Sequence, residues 1–330
     1  MKWEISNSDY DKIRKGVWDS FTNVFQNISK TEPQIVAGLV WHLTKSINTI
    51  KLSQETSAKA GGVFIHSQPF VKAPMINNKE SVELGDLLLL RNEIIDDDII
   101  NRRALLLQVK KINKLPFKPD NETQHRLYFE WPMFEYTRSG HKLNGKKRHI
   151  TGKNIHNATQ FLLVLKDFTN KDLLLKCLRS CNFHSNERKC LWVAQPTFPV
   201  ISNYRCFYQE LVDFIIGDAG KEFIIPHTST RNWDRVIKDL VETTAQHASI
   251  YIKRASKEEL STRGLLNQIF FCGEFSKSLP DLSIYNKTDL QLDSSFEGNL
   301  IDNTISSKLD VSEFNGGLSI LEFSFNKSKQ

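Results

Sequence analysis

The chain has 330 residues, 40% of them hydrophobic and 25% charged, an ordinary globular balance with enough apolar side chain for a substantial core. Lys and Arg number 44 against 38 Asp and Glu, giving a formal charge of +6 and a pI near 8.9, which is compatible with a polyanionic partner without requiring one. No apolar run reaches the roughly 18 residues of a spanning helix, and the start of the chain lacks the order of a signal peptide. A cytoplasmic protein without membrane contact is therefore expected. Five cysteines, an odd number, fit a reducing compartment better than a disulfide framework.

Residues 11–28 carry Ile13, Val17, Phe21, Val24, Phe25 and Ile28 at helical spacing. A second helix opens at Thr31-Glu32-Pro33, with proline just inside its start, and continues through Ile35, Leu39, Val40 and Leu43. Three extended segments follow at 60–66, 83–90 and 104–111, separated by polar or Gly/Pro-containing turns. The pair Gly61-Gly62 permits a close backbone approach, but no Gly-Lys-Ser/Thr follows, so it is not a phosphate loop. His66 ends its strand and reads as a hydrogen-bonded structural residue in preference to a phosphate contact.

The middle of the chain is the most basic. Lys142, Lys146, Lys147, Arg148 and Lys153 are the expected phosphate contacts, while the neighbouring Tyr128, Trp131, Phe134 and Tyr136 fit core packing better than base stacking. Strands are expected at 158–165 and 190–195 with a helix at 172–179 between them. Further helices are expected at 204–216, stopped by Gly217, and at 232–248 with Trp233, Val236, Ile237, Leu240 and Val241 as its apolar stripe. Cys177, Cys181, His184 and Cys190 match no standard zinc knuckle, so a structural zinc is not expected. From residue 256 onward the composition turns to Ser, Asn and Asp with isolated strand-like runs. The expected division is a core over 1–255 with helical additions, and at 256–330 a small β-rich C-terminal appendage or a tail that pairs with a partner protein.

The chemistry concentrates in Glu83-Leu-Gly-Asp86-Leu-Leu-Leu-Leu90 and Ala104-Leu-Leu-Leu-Gln108-Val-Lys110-Lys111. In an extended chain Gln108 and Lys110 share a face, and hairpin pairing of the two segments brings Asp86 to them. Mg²⁺ takes hard oxygen ligands and few carboxylates, which suits Asp86 with the Gln108 carbonyl, while Lys110 is placed to orient water or to stabilise charge on a reacting phosphate.

This pattern resembles the PD-(D/E)xK nuclease superfamily in its Gln-x-Lys variant, as in Mrr-like restriction and defence nucleases. The resemblance implies a restriction-endonuclease-like α/β fold with a mixed central sheet flanked by helices. It also implies a helix-borne third acid, Glu32, and a site in which Glu32, Asp86 and Gln108 bind Mg²⁺ or Mn²⁺ while Lys110 acts as electrostatic catalyst. Gln108 stands where most members carry an acid, leaving one charge fewer at the metal. The function implied is metal-dependent DNA cleavage, in the setting of a bacterial defence effector with a protein partner or as a homo-oligomer. The alternative is a non-catalytic nucleic-acid-binding or scaffold subunit on the same fold.

Overall fold

The computed structural model describes residues 5–25, 31–53, 56–65, 69–75, 80–138, 143–151, 155–165, 191–224, 231–254, 269–277, 279–286, 291–292 and 318–327. Helix α1 (Asn7–Phe25) buries Ile13, Val17, Phe21 and Val24, the stripe that its sequence spacing predicts. Helix α2 (Glu32–Thr49) starts at Thr31, whose hydroxyl and the Gln34 side chain form a reciprocal capping box, and Pro33 occupies its first turn. These caps fix where the helix begins, and so fix Glu32 at its first residue.

The described strands build a mixed sheet in the order β10-β9-β8-β5-β4-β14-β1-β12-β13. They are β1 (Thr56–Ile65), β4 (Leu87–Ile95), β5 (Asp98–Ile112), β8 (Thr159–Leu165), β9 (Leu191–Ala194), β10 (Tyr204–Cys206), β12 (Ile269–Gly273), β13 (Gln291–Leu292) and β14 (Ser319–Lys327). β11 (Lys221–Glu222) adds to β5 off this path. β4 and β5 form the expected antiparallel hairpin, and β8 runs parallel to β5. Leu87, Leu88, Leu89 and Leu90 are all fully buried, because helices cover this sheet on both faces. A smaller sheet joins β3 (Val82–Glu83), β2 (Phe70–Lys72), β6 (Phe134–Arg138) and β7 (Lys147–Arg148). The mixed α/β class with flanking helices is as expected.

The C-terminal segment is not an appendage. β14 lies between β4 and β1, parallel to the first and antiparallel to the second, and β12 extends the sheet beyond β1. Its residues Ser319 to Phe325 are buried, with Ile320, Leu321, Phe323 and Phe325 in the core. A strand apolar on both faces has to lie inside a sheet, so residues from the 256–330 segment complete the domain.

Two expected elements are divided. Segment 83–90 breaks at Gly85, where a Cβ would stand 2.7 Å from Leu106 Cδ1 and 3.2 Å from the Tyr128 hydroxyl. Segment 204–216 begins as β10 and becomes helix α4 (Phe207–Ile216). The α4 C-terminus turns at Gly217 with φ 95°, and Arg91 fills its open end by donating to the Ile215 carbonyl at 2.8 Å. Helix α3 (Glu122–Glu130) lies between β5 and β6, and helix α5 (Asn232–Arg254) extends the expected 232–248. Tyr128, Trp131, Phe134 and Tyr136 are core residues, as the packing reading has them.

Candidate active site

The hairpin register pairs Leu87 with Leu107, and the Asp86 amide donates to the Leu107 carbonyl at 2.9 Å. One step further along the same ladder, Asp86 stands across from Gln108. Its Oδ2 accepts the Val109 backbone N–H at 2.7 Å and an N–H of the Gln108 side-chain amide. Lys110 lies two residues beyond Gln108 on the same face, half-buried at the end of β5.

Helix α3 holds this arrangement from one side. Gln124 Nε2 donates to Gln108 Oε1 at 2.9 Å and to the Glu83 carbonyl at 3.0 Å, while the Tyr128 hydroxyl donates to the Leu84 carbonyl at 2.7 Å. Helix α2 closes the other side: Glu32 Oε1 accepts the Lys111 backbone N–H at 2.7 Å. Asp86, Gln108, Lys110 and Glu32, far apart in the chain, thus meet at the end of β5.

Gln108 has a different part from the ligand expected of it. It is fully buried, its N–H faces Asp86 and its carbonyl is taken by Gln124, so it orients the Asp86 carboxylate. The backbone around it does the rest, since β5 supplies donors to both Asp86 and Glu32.

Glu83 was not among the expected site residues. In one continuous strand, residues 83 and 86 point to opposite faces; the break at Gly85 turns both toward Lys110. An acidic residue three positions before Asp86, next to a glycine, was the available signal. Burial raises the Glu83 carboxyl above its ordinary range, and the Lys110 charge opposes the rise. Burial, aided by the neighbouring Glu83 charge, pushes the Asp86 carboxyl up to about 8, while the Val109 N–H and Lys110 favour its ionised form.

The donor chemistry here fits Mg²⁺ or Mn²⁺. Among the described residues no three His, Cys, Asp or Glu side chains form a closed cage. Mg²⁺ does not call for one: it is commonly held by one or two carboxylates, with water and substrate phosphate completing its shell. Asp86 and Glu32 provide two hard carboxylate groups beside Lys110.

The expected nucleic-acid contacts separate. Lys146 and Lys147 are exposed. Arg148 forms a two-pronged ion pair with Asp239 of α5, at 2.7 and 3.0 Å, which neutralises its charge and ties β7 to that helix. It is therefore a structural cation. Lys142, Lys153 and His66 lie outside the described residues, as do Cys177, Cys181, His184 and Cys190 of the zinc question. Described Cys206 and Cys272 are free and buried, and no helix is long and apolar enough to cross a membrane.

Comparison of the chain with family models, with curated proteins and with solved structures gave no match.

Proposed function

We propose that this chain is a divalent-cation-dependent DNA endonuclease of the PD-(D/E)xK type. The observation that carries the reading is the meeting of Asp86, Glu32 and Lys110 at the end of β5, with Asp86 fixed by Val109 and Gln108. Asp86 and Glu32 would hold Mg²⁺ or Mn²⁺, which when bound supplies an acidified water and charge neutralisation at the scissile phosphate. Lys110 orients the nucleophile and stabilises negative charge on the phosphate, Gln108 positions Asp86, and Glu83 adds to the anionic field. Lys146 and Lys147 are the proposed backbone contacts to DNA. By its resemblance to free-standing defence nucleases, the proposed setting is a cytoplasmic effector acting with a partner subunit or as a homo-oligomer.

One observation favours the second reading, a DNA-binding subunit without catalysis. The Gln108 carbonyl, the expected neutral ligand, is turned to Gln124, away from Asp86. Cleavage of supercoiled plasmid with Mg²⁺ or Mn²⁺ by the wild-type chain separates the two. Cutting that is lost in Asp86→Asn and Lys110→Ala supports the nuclease; DNA binding without any cutting supports the subunit.

A further inference from the structure

A second built site lies away from Asp86. In the middle of β5, Ala104 and Arg103 pair with Lys221 and Glu222 of β11, and the N-terminus of α5 approaches the same edge. Between them is a cavity of about 630 Å³, within the range of small-molecule sites. Arg103 is five residues from Gln108 along β5, roughly 17 Å at the strand rise, and on the opposite face of the sheet.

Its lining is cationic and ordered. Arg103, Lys221 and Arg231 face Glu222 and Asp234, an excess of one positive charge. Arg103 is locked in place by the Gly220 carbonyl at 3.1 Å and Glu222 at 3.2 Å. Arg231 Nε meets Asp234 Oδ2 at 2.7 Å, and Asp234 Oδ1 accepts the Ile224 backbone N–H at 3.1 Å. The first N–H groups of α5 have no intrahelical acceptor and add positive potential at this end. Trp233 lines the same cavity, is 3% exposed, and its indole N–H has no partner among the described residues. A buried donor without an acceptor is costly, and an acceptor brought by a ligand removes that cost.

We propose that this cavity binds a free nucleotide through its phosphates, with Arg103, Lys221, Arg231 and the α5 N-terminus as the anion-binding wall and the Trp233 indole N–H as an added donor. A lone inorganic phosphate leaves most of the volume unfilled, whereas a nucleotide is of matching size. Duplex DNA presents its backbone on a convex rod and does not enter an enclosed space. The site is independent of the nuclease reading.

Calorimetric titration of the full chain with ATP, AMP and pyrophosphate tests this, using Lys221→Gln combined with Arg231→Gln, and separately Trp233→Phe. Saturable ATP binding is expected, displaced by pyrophosphate, weakened about tenfold or more by the double substitution, and unchanged in Asp86→Asn. Each variant is checked for a wild-type melting transition; if Trp233→Phe does not fold, the double substitution carries the test. The proposal is overturned if ATP does not bind saturably up to about 10 mM, if binding survives the double substitution, or if only duplex DNA binds.

Discussion

Glu32 and Lys111, 79 residues apart, are joined by a 2.7 Å hydrogen bond from the Lys111 backbone N–H to the Glu32 carboxylate. The bond fastens the first residue of α2 to the last turn of the β5 ladder, and Lys110 is the residue immediately before it. The lysine is therefore set between two anchored carboxylates, Glu32 and Asp86, with neither position left to a loop.

That geometry makes Lys110 and Asp86 the decisive substitutions. Asp86→Asn keeps the shape and an acceptor for Val109, so the fold is expected to persist while metal-dependent plasmid cleavage falls about 10²-fold or more. Lys110→Ala should do the same. Cleavage by either variant at the wild-type rate, with matched circular dichroism, would place the site elsewhere.

Gln108 is expected to matter through position and stability. Gln108→Met leaves Asp86 without its amide donor and Gln124 without its acceptor, both buried, at a cost of about 1–3 kcal/mol. Urea unfolding measures it. A variant as stable as wild type would mean that this bridge contributes nothing.

The buried Asp86 carboxyl gives the metal-free protein a defined pH response. Its pKa is near 8 in the fold against an ordinary 3.8, so between those values the unfolded chain has released the proton that the folded chain keeps. Stability from this group is therefore full below about pH 4 and declines as pH rises toward 8. Asp86→Asn should stabilise the metal-free protein at pH 8 and have little effect near pH 4, and Mg²⁺ should stabilise wild type more as pH rises. Melting curves across that range, with and without Mg²⁺, check both; an Asp86→Asn effect independent of pH contradicts the assignment.

Arg148 and its lysine neighbours should behave differently. Arg148→Gln strands Asp239, which is largely buried, and is expected to cost about 1–3 kcal/mol. Lys146→Gln with Lys147→Gln should leave stability alone and reduce the salt dependence of DNA binding by about two counterions. Fluorescence anisotropy at several salt concentrations, beside thermal melts, distinguishes the two classes.

Ending the chain before Leu318 removes β14 from between β4 and β1. Loss of cooperative unfolding is expected, since the buried Phe323 and Phe325 alone represent about 3–6 kcal/mol of burial. A truncated chain with a sharp melting transition would restore the picture of an appendage.

Local pattern was enough for the elements near the site. Alternation and apolar runs marked β4, β5 and β8, helical spacing marked α1 and α5, and Thr31 with Pro33 marked the start of α2. From these, Asp86, Gln108, Lys110 and Glu32 followed as one cluster, because a two-residue period fixes which side chains share a strand face.

The tertiary structure decided what depends on partners distant in sequence. Periodicity records that a segment has a buried face, not which strand covers it, so the place of β14 inside the sheet was not legible from its short apolar run. The inclusion of Glu83 hung on the break at Gly85, the direction of the Gln108 amide on Gln124, and the role of Arg148 on Asp239 of a helix some 90 residues later. Each is a polar contact between elements whose approach is set by packing of the whole core, and composition or spacing in one segment carries no trace of it.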